Sequence, residues 1–197
     1  MRLGFIGPAN SDSVALERAA KLLVCELEVD EVIYLAEDDA LRDFVAAHKT
    51  EEEDEALEQR VAGVAATGSP TDIEDVVRRL RGARYLEKLR IAPPPPARAM
   101  EMLEDRILTI VRTKSTIGEE DVINSNVVVY GDGKELMFKR FGPRCFFCPG
   151  PAEIGTVGVL DDTAETGGVV LTAVDKEGQV LWSEPIQGRG AKVMVAQ

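Results

Sequence analysis

The first 36 residues constrain the fold more than any other stretch of the chain. Arg2-Leu3-Gly4-Phe5-Ile6 is a short, largely apolar run stopped by Gly7-Pro8. Ser11, Asp12 and Ser13 can each cap a following helix, because their short side-chain oxygens accept from the orphan amides of a first turn. In that helix Leu16, Ala19, Ala20, Leu23 and Leu27 fall at i, i+3, i+4, i+7 and i+11, on one apolar face. Val32-Ile33-Tyr34-Leu35-Ala36 then runs without polar alternation, the mark of a strand covered on both sides. Strand, helix and strand in this order predict a right-handed crossover and a parallel pair.

The rest of the chain divides at a proline run. Asp39 to Ala66 is helical in composition, and its Glu51–Glu55 acidic run reads as a solvated helix start. Ser69-Pro70-Thr71-Asp72 opens another helix, with Ser69 as N-cap and Pro70 at the first helical position, running to about Arg81 before Gly82. Pro93-Pro94-Pro95-Pro96 is expected as a stiff extended spacer that marks a junction. A short helix from Ala97 to Glu104 is expected next. Beyond it the pattern turns to β, with candidate strands at Ile107–Val111, Val127–Tyr130, Leu136–Phe141, Arg144–Cys148, Val169–Val174 and Val180–Trp182. Asp175-Lys176-Glu177-Gly178 reads as a hairpin turn and Ala191–Val195 as a last strand. An α/β first half before a β-rich second half predicts two sheets packed together under helices, in one domain spanning 1–197.

Charge narrows the partners. The 197 residues carry 35 acidic and 23 basic side chains, a formal charge of −12, which gives no bulk drive toward a phosphate backbone, so nucleic acid is not an expected partner. Between Glu26 and Glu58 stand 14 acidic residues against Arg42 and Lys49, so this stretch carries the net charge of the whole chain. From Arg78 to Lys114 ten basic residues face Glu87, Glu101, Glu104 and Asp105. The apolar runs are far shorter than a membrane span, and no basic segment precedes an apolar one as in a secretory signal. Three cysteines are too few and odd in number for a disulfide framework and fit a reducing cytoplasm.

The landmarks of the opening and of the β-rich half, taken in order, resemble those of the calcineurin-like metallophosphoesterases. The likeness is narrower to the small bacterial and archaeal phosphodiesterases and to the retromer subunit that shares their fold. That family opens with a strand and an Asp-x-His loop before its first helix; here Pro8 stands at the Asp position and Asn10 at the His position. Its second strand ends in Gly-Asp, where this chain has Ala36-Glu37. Its next strand ends in a His, where Ile107–Val111 is followed by Arg112. Its Gly-His-x-His corresponds to Gly131-Asp132-Gly133-Lys134, and its Asn-Pro-Gly-Ser to Cys148-Pro149-Gly150-Pro151. The family's Gly-Asn-His/Asp segment has no counterpart, and 40–96 reads as a helical replacement or insertion.

The resemblance implies an αββα sandwich of two mixed sheets with flanking helices, and a lost active site. Two-metal phosphoester hydrolysis needs cations about 3.5–4 Å apart, held by several carboxylate and imidazole ligands. Of the aligned positions only Glu37 and Asp132 are carboxylates, while Arg112 and Lys134 repel a metal. The two cations are therefore expected to pair with Glu37 and Asp132 in place of metals. No resident metal or other cofactor is expected, although Glu37 and Asp132 with Asn10, Asp12 or Asp38 offer oxygen ligands for one loosely held Mg²⁺ or Ca²⁺.

The remaining motifs read as structure. Cys145-Phe146-Phe147-Cys148 has redox or half-zinc spacing, but alternation along a strand sends residues three apart to opposite faces, so buried structural thiols are expected. Gly131-Asp132-Gly133-Lys134 lacks the first glycine and the hydroxyl residue of a P-loop. His48, the one histidine, is expected exposed on a helix. The resulting expectation is a non-catalytic protein-binding scaffold in the cytoplasm, by resemblance to the retromer subunit, with a protein partner or a second copy of itself. Glu51, Glu52, Glu53, Asp54 and Glu55, with Arg78, Arg79 and Arg81, are the candidate protein-binding positions. The alternatives are a divergent metal-dependent phosphodiesterase or phosphatase, and an anion or nucleotide sensor using Arg112 and Lys134 in the former phosphate pocket.

Overall fold

The computed structural model of the protein describes residues 1–48, 63–64, 68–73, 85–162 and 168–188. Glu51–Glu55, Arg78, Arg79, Arg81 and Ala191–Val195 lie outside the described residues.

β1 (Arg2–Ile6) leads into α1 (Ser13–Lys21), whose N-cap is Asp12: its carboxylate accepts from the Ala15 amide at 2.9 Å. α1 continues as a π-helical turn, Leu22–Glu26, closed by the Leu27 amide on the Leu22 carbonyl at 2.9 Å. The wider turn breaks the expected apolar period, so Leu16, Ala19, Ala20 and Leu23 are buried while Leu27 reaches only the edge of the core. β2 (Glu31–Tyr34) pairs parallel with β1, Phe5 opposite Ile33. α2 (Ala40–His48) follows, and its last residue, His48, is exposed with Nδ1 at 2.8 Å from the Phe44 carbonyl. At the next helix start Ser69 and Asp72 bond reciprocally: the Ser69 amide donates to the Asp72 carboxylate at 2.9 Å, and the Asp72 amide donates back to the Ser69 hydroxyl at 3.4 Å.

Two sheets form the sandwich. One has the order β11-β10-β9-β1-β2-β3, the other β4-β5-β6-β8-β7. Their strands are β3 (Leu89–Ile91), β4 (Ala99–Leu103), β5 (Arg106–Ile110), β6 (Val127–Val129), β7 (Met137–Phe141), β8 (Arg144–Cys148), β9 (Val157–Asp161), β10 (Val170–Val174) and β11 (Val180–Pro185). Both sheets are mixed: β1, β2 and β3 run parallel while β9 joins β1 antiparallel, and β5, β6 and β8 run parallel between antiparallel edges. α3 (Glu119–Asn124) connects β5 to β6.

Alternation along β1 and β2 builds two cores at once. Leu3, Phe5, Ile33 and Leu35 point between the sheets, where they meet Leu108, Ile110, Val127, Val129 and Phe147. Ile6, Val32 and Tyr34 point the other way, under Leu16, Leu23, Leu41 and Phe44 of the helical layer. Both faces are covered, which is why these strands read as unbroken apolar runs. Ion pairs close both rims of the sandwich: Arg90 on β3 reaches Glu101 on β4 at 2.7 Å, and Arg140 on β7 reaches Glu184 on β11 at 2.6 Å.

Two expectations are corrected and three elements are added. Residues 97–104 are not helical, since Ala99, Glu101 and Leu103 face inward while Met100 and Met102 face solvent, and the period of two makes them β4. The proline run is not an extended spacer: the chain reverses at Pro94–Ala97 through a cis Pro95–Pro96 bond, with the Ala97 amide donating to the Pro94 carbonyl at 2.9 Å. It has to turn because β3 and β4 belong to opposite sheets. Finally β9, β3 and α3 went unread in the sequence. β9 is central, but Gly155, Gly158 and two flanking threonines and aspartates make Val157–Asp161 look like a loop.

Candidate functional site

The loops that leave the carboxyl ends of β1, β2, β5, β6 and β8 meet at one end of the sandwich. Glycines permit the meeting. A Cβ on Gly7, after β1, would lie 1.9 Å from the Gly150 carbonyl oxygen after β8, and one on Gly131, after β6, would lie 1.7 Å from the Leu35 oxygen after β2. Each contact joins a loop of one sheet to a loop of the other, backbone against backbone, where no side chain fits. Gly133 sits against the side-chain sulfur of Cys148, at the end of β8 in its own sheet.

On this frame Pro8, Asn10, Glu37, Arg112 and Asp132 each have a local partner. Pro8 offers its carbonyl to the Ala152 amide at 2.8 Å. Asn10, with φ of 48°, and Ser11, with φ of 72°, curl the first loop in the left-handed region, and Asn10 Nδ2 donates to Glu153 at 2.8 Å. Glu37 accepts from the Thr113 hydroxyl at 2.6 Å, and Asp132 accepts from the Lys114 amide at 2.8 Å. Arg112 is half-buried and donates its Nε to the Ala92 carbonyl at 2.6 Å. Lys134 is exposed.

The expected pairing of Arg112 and Lys134 with Glu37 and Asp132 is therefore corrected, since no ion pair joins any of these four among the described residues. The carboxylates find neutral donors in the β5–α3 loop instead, and these lie closer in the fold than either cation. Lys114 lays its ammonium 5.8 Å from the centroid of the Tyr130 ring.

One polar chain here was missed in the sequence. Tyr34 is fully buried, yet its hydroxyl accepts from the Ala9 amide at 2.8 Å and donates to Asp38 at 2.6 Å, and Asp38 also accepts from the Ala40 amide at 3.2 Å. It ties the β1 loop to the start of α2. Burial, reinforced by the Asp38 carboxylate, pushes the Tyr34 hydroxyl well above the usual phenol range, so it stays a donor. The signal was a polar-tipped residue inside a buried strand run.

Sheet order, loop positions and helical layer can be matched to solved structures. An archaeal phosphodiesterase superposes with a TM-score of 0.50 at 14% identity, covering 88% of this chain and 100% of the other. A Streptococcus pneumoniae TIGR4 protein described as a predicted phosphoesterase gives 0.51 at 12% identity, covering 93% and 95%. Vps29 of Chaetomium thermophilum gives 0.51 at 12% identity, covering 93% and 96%. The chain has the calcineurin-like phosphoesterase fold. No family model and no curated protein matches the sequence.

The metals that the phosphoesterase fold implies do not fit the donors present. Among the described residues no three His, Cys, Asp or Glu side chains come together in a way that holds a metal ion. Pro8 supplies no side-chain donor, Arg112 brings a guanidinium, and Glu37 and Asp132 are both engaged by the 113–114 stretch. The two strand thiols face opposite ways: Cys145 lies in the core between the sheets and Cys148 against Val111 and Tyr130 on the outer side. Both are free, and burial raises both above the ordinary thiol range.

Proposed function

We propose that this chain is a non-catalytic protein-binding module built on the phosphoesterase fold. The observation that carries the reading is the occupation of Glu37 and Asp132 by Thr113 and Lys114, beside the Arg112 guanidinium. A binuclear centre would require both carboxylates to release these donors and would place its cations near a fixed positive charge, against the electrostatics of metal-assisted hydrolysis. One fold hosts more than one role, so the site decides the function.

The binding surface is assigned to the stretch 40–96. It holds the sharpest change of charge in the chain, from the acidic Glu51–Glu55 run to Arg78, Arg79 and Arg81, and such asymmetry sets partner choice and encounter rate. No helix of the described residues is long and apolar enough to cross a membrane, and the reading places the module in the cytoplasm with a protein partner.

Elemental analysis of the purified protein, with hydrolysis of an aryl phosphodiester in added Mn²⁺, tests the reading. Substoichiometric metal and no turnover above buffer are expected. Two bound transition-metal ions per chain with Mn²⁺-dependent turnover would replace it with a divergent phosphodiesterase.

A further inference from the structure

We propose that the edge of β4, unpaired among the described residues, is a self-association surface, on which a second copy of this chain adds its own β4 in antiparallel register. The inference does not rest on the reading of the loops above. Four described strands end the two sheets, and three of them carry features that discourage pairing with another chain. β3 is only three residues long. β7 carries Lys139 and Arg140, and β11 follows a register shift at Ala173/Val174 and ends on Pro185. β4 has none of these. It pairs with β5 without interruption from Ala99 opposite Ile110 to Leu103 opposite Arg106, and holds no Lys, Pro or bulge. Its one charge, Glu101, points toward the other sheet and is held by Arg90 at 2.7 Å.

The outward face of this edge is complementary to itself. Met100 and Met102 stand two residues apart on it and are 55% and 70% exposed, while Arg98 precedes the strand and Glu104, with φ of 50°, lies in the β4–β5 turn. An antiparallel pair with Glu101 on the two-fold axis sets Met100 opposite the partner's Met102, and brings Arg98 to the end at which the partner's β4–β5 turn carries Glu104. The result is a cluster of methionines closed at both ends by opposite charges, the cross-strand pairing that stabilises a sheet. Arg98 already holds Asp121, and Glu104 already holds Arg106, so each contact across the axis extends an ion pair that exists within the chain. A one-residue shift would set the inward-facing residues of one strand against the outward-facing methionines of the other, which fixes the register.

The test is the mass of the full chain in solution by light scattering and sedimentation at high micromolar concentration. About twice 21.4 kDa is expected for the natural sequence. Met100→Lys with Met102→Lys should return the mass to 21.4 kDa with unchanged far-UV circular dichroism, since both side chains are exposed. Glu104→Lys should raise the dissociation constant about three- to tenfold, because two exposed charge pairs are lost together. A natural chain that is monomeric throughout, or a double-lysine variant that dimerises as tightly as the natural chain, overturns the proposal. So does a monomer in which Met100 and Met102 resist peroxide oxidation, since the chain itself would then cover the edge.

Discussion

Glu37 and Asp132 grip neighbouring residues of one loop from opposite sheets. Glu37, after β2, accepts from the Thr113 hydroxyl at 2.6 Å, and Asp132, after β6, accepts from the Lys114 amide at 2.8 Å. The loop after β5 thus lies as a bridge between the two carboxylates. Asp132→Ala should lower stability by about 1 kcal/mol, the usual cost of one such bond, and Glu37→Gln by less. Denaturant titration reads both. A larger loss in Mn²⁺ than in its absence would mean that these carboxylates serve a metal instead.

Restoring two ligand positions should not restore hydrolysis. In the variant with Pro8→Asp and Asn10→His, Arg112 still donates to the Ala92 carbonyl and the cation of Lys134 remains. Turnover of an aryl phosphodiester should stay at the buffer rate with Mn²⁺ present. Measurable Mn²⁺-dependent turnover would show that the remaining positions accommodate metals after all.

The glycines that join the sheets should be far less tolerant than glycines elsewhere. Gly131→Ala and Gly7→Ala place a methyl group against a backbone carbonyl, which cannot swing away like a side chain, and should each cost about 3 kcal/mol. Gly118→Ala, whose Cβ would meet nothing nearer than Asp121 at 3.7 Å, should cost a few tenths of a kcal/mol. Urea midpoints of the three variants make the comparison.

Alkaline pH should destabilise the protein. Burial raises the thiols of Cys145 and Cys148 and the hydroxyls of Tyr34 and Tyr85 above their ordinary values. These groups lose protons first in the unfolded chain, so the folded state holds more protons and stability falls as pH rises above the ordinary thiol range. Urea midpoints should hold from neutral pH to about pH 8 and decline from there to about pH 10, as the thiols of the unfolded chain ionise. In the native protein a thiol reagent should modify exposed Cys25 quickly, and Cys145 and Cys148 only on unfolding.

Partner binding, if it uses the charged stretch, should weaken with salt. Raising NaCl from about 50 to 500 mM shortens the screening length severalfold and should slow association more than it speeds dissociation. Reversing the charge of Glu51–Glu55 should abolish binding while far-UV circular dichroism is unchanged. Association rates indifferent to salt would remove electrostatics from the account.

Much of this molecule was legible without coordinates. The apolar runs Leu3–Ile6 and Val32–Leu35 with the Asp12-capped helix between them fixed the parallel opening, because a buried parallel strand leaves an uninterrupted apolar signature. The Asp175–Gly178 turn and the opposed faces of Cys145 and Cys148 followed from local rules of the same kind. The positions of Pro8, Asn10, Glu37, Arg112, Asp132 and Lys134 at strand ends were readable too. Their partners were not. Arg112 was expected to seek a carboxylate, yet it meets the Ala92 carbonyl, and Glu37 meets Thr113, 76 residues away. Likewise Ala99–Leu103 became β4 because β5 offers them an edge, and Val157–Asp161, with a glycine inside it, became a central strand because β1 had one side unpaired. Sequence periodicity reports which faces of an element are buried; which donor reaches which acceptor, and which strand fills a vacant edge, depend on elements far apart in the chain and were decided only when the two sheets closed on each other.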